Sequence, residues 1–233
     1  MSLTKAPLKF ACFVTGTDTE IGKTLVAAAL IHGLVKRGLS VAAMKPVAAG
    51  TERRQGRVSN EDVDTLLAQV NVQLPADLVT PYLWDEPIAP HIAAAKVGKV
   101  MAVDVVLDAY RQVSRAAQAV IVEGAGGFCV PLSDTQDMAD MARALGLPVV
   151  LVVGLRLGCI SHAVLTAEAV RARGLSLCGW VANTVDPAMP YQAENIQTLQ
   201  ARLGAPLLGV IPRLPEADPA LAASYLDFAS LSI

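Results

Sequence analysis

Short, nearly continuous apolar runs alternate along the chain with stretches of helical period. The runs occupy residues 9–15, 40–47, 119–125, 148–154, 175–184 and 206–212. Between them, apolar positions recur every three to four residues over 23–38, 61–70, 103–117, 134–146, about 160–173 and about 190–203. Gly38 and Gly146 stop two of these helices, and Asp134 is the expected N-cap of the helix 134–146. Strands that are apolar on both sides and separated by helices predict an α/β fold, a mostly parallel sheet with helices on both faces. For 233 residues, one domain over 1–233 is the expectation. Such sheets bind ligands at the carboxyl ends of their strands. Chemistry should therefore collect in the loops after residues 15, 45, 123, 154 and 183.

The first of these loops reads "GTDTEIGKT", Gly16 to Thr24, with a strand before it and a helix after it. That is the setting of a phosphate-binding loop. Backbone amides of Ile21, Gly22, Lys23 and Thr24 would face phosphate oxygens, at a helix end carrying roughly half a unit of positive charge. Lys23 would span the β- and γ-phosphates, and the Thr24 hydroxyl would be offered to Mg²⁺. The spacing is unusual: five residues separate Gly16 from Gly22, and two of them, Asp18 and Glu20, are acids. A carboxylate about 4 Å from a phosphate charge would repel it by roughly 4 kcal/mol at an effective dielectric near 20. The extra residue is expected to bulge the loop and turn an acid away from the nucleotide. An acid on the far side of the γ-phosphate suits a cationic second substrate, most simply a protonated amine.

Lys45, in "MKPVAAG", stands at the carboxyl end of the second strand, where it could neutralise charge on a transferring phosphoryl group. Asp62 and Asp64, in "NEDVD", lie near a helix start, and either suits Mg²⁺. Glu123, in "VEGAGG", ends a strand and is followed by glycines that let a ligand approach the backbone. In "GLRLGCISH" the helix starting near Ile160 offers a second anion site. Asn183 ends another strand with a donor and an acceptor that suit an adenine edge. His91 and His162 fit structural roles, and no Cys/His cluster suggests zinc.

Composition narrows the partners. Hydrophobic residues make up 53% and charged residues 17%, enough apolar material for a core and too few charges for disorder. With 19 basic and 21 acidic residues, a nucleic-acid surface is not expected. Cys12, Cys129, Cys159 and Cys178 are scattered and read as buried, reduced thiols of a cytoplasmic protein. No long apolar segment suggests a signal peptide or a membrane span.

Taken in order, "GTDTEIGKT", "KPVAAG", "PHIAA", "VEGAGG", "PLSD", "LGCISH" and "GWVAN" resemble the dethiobiotin synthetases over about residues 10–215. The resemblance implies a homodimeric P-loop NTPase-like fold. It also implies ATP-dependent carboxylation of 7,8-diaminononanoate with CO₂ and closure of the cyclic urea through a mixed anhydride, releasing ADP and phosphate. It assigns Thr19 and Glu20 to the substrate side, and Gly22, Lys23 and Thr24 to phosphate. Lys45 falls by the carbamate, with Lys23, Lys45 and Glu20 as the catalytic set. Thr24, Asp62 and Glu123 become the Mg²⁺ ligands, Asp62 being preferred to Asp64 because "SNED" matches the family's Asn-x-Asp pattern. Asn183 becomes the adenine reader, and Gly126 joins the substrate side. Gly158, Cys159, Ile160 and Ser161 would take the substrate carboxylate, reaching in from a partner subunit. Ala49, Ser161 and Asn195 depart from the residues common in the family.

Three other readings share parts of this pattern. A partitioning or septum-positioning ATPase carries an additional early-loop lysine, where this chain has Thr17 and Asp18. A cobyrinate-type amidotransferase needs a glutaminase domain as well. A non-catalytic nucleotide module needs fewer charges at the γ-phosphate than Lys23, Lys45, Asp62 and Glu123 provide.

Overall fold

The computed structural model describes residues 7–54 and 56–231. Within them the chain runs β1 (Phe10–Gly16), α1 (Lys23–Lys36), β2 (Val41–Met44), β3 (Val47–Ala49), β4 (Glu52–Arg54), β5 (Arg57–Ser59) and α2 (Glu61–Leu67). There follow α3 (Ala76–Val79), β6 (Tyr82–Trp84), α4 (Pro90–Lys96), α5 (Val103–Val113), β7 (Ala119–Glu123) and α6 (Met138–Leu145). The chain then forms β8 (Val149–Leu155), α7 (Cys159–Ala172), β9 (Leu177–Thr184), α8 (Gln192–Leu203), β10 (Leu207–Ile211) and α9 (Pro219–Ala223).

Six strands form a parallel sheet in the order β10-β9-β8-β1-β7-β2. Its inner strands are buried on both sides because alternate residues feed different cores, while the edge strand β10 is partly exposed. Phe10, Cys12 and Val14 pack on the α1 side, while Ala11 and Phe13 pack with residues of α5 and α6. Further along that second face, Leu151 and Val153 of β8 meet α7 and α8. The chain leaves β1 toward β2 and β7 on one side and later returns to β8 on the other. The carboxyl end of β1 is therefore the switch point of the sheet, where a crevice opens.

The structure moves several expected boundaries. The apolar run 40–47 is not one strand. Pro46 has no N–H to give, and the Lys45 N–H bonds the Val79 carbonyl at 3.0 Å, so the chain leaves the main sheet after Met44. Val47–Ala49 then pairs in parallel with Tyr82–Trp84. Asp134 does not cap the helix that follows it. The Leu132 and Ser133 amides bond the Gln136 carbonyl, so a turn precedes the helix. Asp137 is the N-cap, in a capping box with Asp140. Cys129 is exposed, against the expectation of a buried thiol, and Cys178 is only partly covered. The segment after β10 straps back over α1: Phe228 packs on Gly33, where an added Cβ would lie 2.0 Å from the ring, and Arg37 sits 4.0 Å over that ring.

Candidate active site

The loop between β1 and α1 accommodates its extra residue by burying it. Ile21 is 1% exposed and fills a slot left by two glycines. A Cβ on Gly16 or on Gly154 would come within 2.6 Å of the Ile21 side chain. Glu20 consequently takes a left-handed conformation, φ 58°, that non-glycine residues rarely adopt. Gly22 follows at φ 87°, with the Asn183 amide so close that an added Cβ would lie 2.2 Å from it. Asn183 donates its Nδ2 to the Ile21 carbonyl at 2.8 Å, bracing the loop from behind. The first turn of α1 has no capping side chain and no acid. Its amides are thus free for an anion.

The two loop acids separate. Asp18 turns out of the crevice and pairs with Arg156. Glu20 and Thr19 line a cavity of about 710 Å³ in front of the loop. The same cavity is lined by Gly22, Lys23, Thr24, Lys45, Ala49, Asp62, Glu123 and Gly126. Ile21 lies beneath it rather than on its wall. Asn183 stands behind the loop, and Gly158, Cys159, Ile160 and Ser161 open α7 away from the cavity. Cys159 is buried in the α7 core. Asp64 also stays outside, held by the Ser59 hydroxyl.

Charges converge at the cavity floor. Lys45, 3% exposed, lies 2.6 Å from Glu123 and 2.8 Å from Asp62. The Thr24 hydroxyl is 2.8 Å from both Asp62 Oδ1 and Glu123 Oε1, with one proton to share between them. Burial works against the Lys45 charge, but Glu123 and Asp62 outweigh it and hold its pKa above the ordinary lysine value. Burial likewise pushes the Glu123 carboxyl up, and Lys45 offsets only part of that. Lys23 gives its ammonium to the Asp18 carbonyl at 2.6 Å. Burial and the neighbouring Lys45 charge bring its pKa down to about 8, against the pull of Glu123, Asp62 and Asp18.

Several lining and supporting residues were not singled out from the sequence. Pro87, Ile88, Ala89 and Pro90, just before His91, form an apolar wall with Val47 and Val130, and Ala217 reaches the cavity from beyond β10. Of these only Pro90 falls within the "PHIAA" stretch; Pro87–Ala89 precede it and carry no charge or glycine pattern that marks a site. Asn60 is buried and works on two sides. It accepts the Val63 amide at the head of α2 and donates to the carbonyls of Ala49 and Gly50 at 3.2 and 2.7 Å. It thereby sets where Asp62 stands. Neither His91 nor His162 lines the cavity.

A family model described as an AAA domain matches residues 11–220. The ATP-dependent dethiobiotin synthetase BioD of Janthinobacterium sp. (strain Marseille) is 55% identical over 226 residues, covering 95% of this chain and 96% of its own. Among solved structures, the MinC:MinD cell division protein complex of Aquifex aeolicus aligns with a TM-score of 0.54 at 15% identity, over 88% of this chain and 82% of its own. The septum site-determining protein MinD of Pyrococcus horikoshii OT3, complexed with Mg-ADP, aligns with a TM-score of 0.53 at 18% identity, over 92% and 86%. At such identities these structures speak for the P-loop NTPase-like fold alone.

Proposed function

The chain belongs to the ATP-dependent dethiobiotin synthetase family, a family of ligases, and from that premise we propose how its own residues close the ring. One amine of 7,8-diaminononanoate adds to CO₂, forming a carbamate and releasing a proton. A carbamate oxygen attacks the γ-phosphorus of ATP, and ADP leaves. The second amine attacks the carbonyl carbon of this mixed anhydride, phosphate departs with the transferred oxygen, and a second proton is lost. Two amines held beside one anhydride gain from proximity, and phosphoryl transfer asks mainly for positioning and charge stabilisation.

The observation that carries this reading is the cavity itself, which has an anion cradle, a carboxylate and an apolar wall within one space. Amides of Ile21–Thr24 and the Lys23 ammonium would hold the phosphates, Lys45 would face the carbamate, and Thr19 and Glu20 would face the amines. The strip Pro87–Pro90 suits the aliphatic chain, beside Ala49 and Gly126. Asn183 would read the adenine with its remaining carbonyl.

Mg²⁺ fits the residues present. Two carboxylates and a hydroxyl meet at one point, and Glu123 Oε2 is buried without a hydrogen-bond partner. Thr24, Asp62 and Glu123 would hold the ion, whose chemistry there is to neutralise phosphate charge. The two ammoniums of Lys23 and Lys45 cancel the two carboxylates of Asp62 and Glu123, so the floor alone is near neutral. A triphosphate needs the additional cation.

We read the chain as one P-loop domain acting in the cytoplasm as a homodimer, with Gly158–Ser161 of one subunit taking the substrate carboxylate in its partner's site. No helix among the described residues is long and apolar enough to cross a membrane. The test is product identity. Incubation with ATP, diaminononanoate and ¹³C-bicarbonate should place one labelled carbon in a cyclic urea. Label that stays in bicarbonate while ATP is consumed would overturn the reading.

A further inference from the structure

Asp18 holds three groups at once. One carboxylate oxygen accepts the Thr19 amide at 2.8 Å, the other pairs with Arg156 Nη2, and its carbonyl accepts the Lys23 ammonium at 2.6 Å. Arg156 follows β8 directly, and its own carbonyl accepts the Cys159 amide at 3.0 Å, so its backbone is part of the turn that opens α7. The two segments also touch elsewhere. The Thr17 amide bonds the Val152 carbonyl at 3.1 Å, and Ile21 packs on Gly154. Those two contacts anchor the ends of the bulge. Thr19 and Glu20, between them, lie in the cavity wall and are braced through Asp18. The Asp18 carboxyl is held below the usual carboxylate range, first by the Thr19 amide and then, against burial, by Arg156.

We propose that Asp18 and Arg156 are a positioning pair that fixes the bulge against the turn opening α7 and so aims Thr19 and Glu20 at the amine-bearing substrate. The proposal rests on the functional reading above for the identity of that substrate. It gives the second loop acid a purpose: Asp18 never meets ligand, but sets where Glu20 points. The phosphate cradle depends on it less, because Ile21 in its glycine slot and Asn183 behind Gly22 hold that part of the loop independently.

Steady-state kinetics of Arg156→Gln, Arg156→Lys, Asp18→Ala and the double variant Asp18→Ala/Arg156→Gln test it. Arg156→Gln should raise KM for the diamine about fivefold, the scale of a half-exposed ion pair, with kcat and the ATP KM within about twofold. Arg156→Lys should recover most of the loss, and the double variant should be no worse than Asp18→Ala alone. Hydrogen exchange over residues 17–21 should quicken in Arg156→Gln, with an unchanged melting temperature. Unchanged diamine KM, additive losses, or equal losses for ATP and diamine with a lowered melting temperature would each overturn the pair. Should the wild-type protein form no cyclic urea, the functional reading fails, and the exchange measurement alone still decides whether the pair fixes the loop.

Discussion

Lys45 and Glu123 are the residues least able to do without each other. Both are buried, and they lie 2.6 Å apart. Lys45→Met should cost about 3–5 kcal/mol in urea denaturation, because it strands the Glu123 carboxylate. Adding Glu123→Gln should restore much of the stability and none of the product formation. Glu20→Gln should leave stability unchanged and raise KM for the diamine more than for ATP; an unchanged diamine KM would remove amine recognition by this carboxylate. Lys23, Lys45 and Glu123 were legible because glycine, lysine and acid spacing at strand ends is a short-range signal, whereas Asp62 was separated from Asp64 only by the family resemblance. Arg156 was not, since its partner lies 138 residues away in the chain. The buried position of Ile21 was equally hidden, as it depends on Gly154 from a different strand.

Among the elements, α6 shows what a periodic pattern leaves open. The pattern locates the helix, yet Asp134 and Asp137 are both acceptable caps. The turn closed on Gln136 decides for Asp137. Asp140 then completes the box and pairs with Arg173. Its carboxyl is depressed, mainly by the Asp137 amide and, against burial, by Arg173. A depressed folded-state pKa gives stability that is fully present above the unfolded value, about 3.9, and is lost as pH falls through the folded value. Asp140→Asn should therefore be less stable than wild type at pH 6, and the two urea midpoints should converge as the pH falls past the unfolded value and through the lower folded one. A gap that persists at low pH would place the loss in packing. The split of the run 40–47 had a readable cause in Pro46. The β4–β5 hairpin had Gly56, at φ 79°, in its turn, yet its short strands lack the apolar alternation that marks longer ones.

At the scale of the molecule, the α/β class and the parallel sheet followed from the alternation of apolar runs and helices. The strand order did not, because strands buried on both faces look alike in sequence. Nor did the closing strap, whose anchor is a glycine in α1 that makes room for Phe228. Leu157, in the turn before α7, and Leu165, in the middle of that helix, are 93% and 61% exposed. A dimer through α7 would cover them, so Leu165→Glu should shift the sedimenting species from two chains to one. Wild-type protein that sediments as a single chain would contradict the dimer expectation. On the proposed function, ATP cleavage is coupled to a diamine and CO₂ in one cavity. The most direct test of this coupling is ADP release by purified protein with diaminononanoate and bicarbonate, each omitted in turn. Release that requires both is the predicted result; equal release without the diamine, or release stimulated by DNA or lipid in its place, would contradict it.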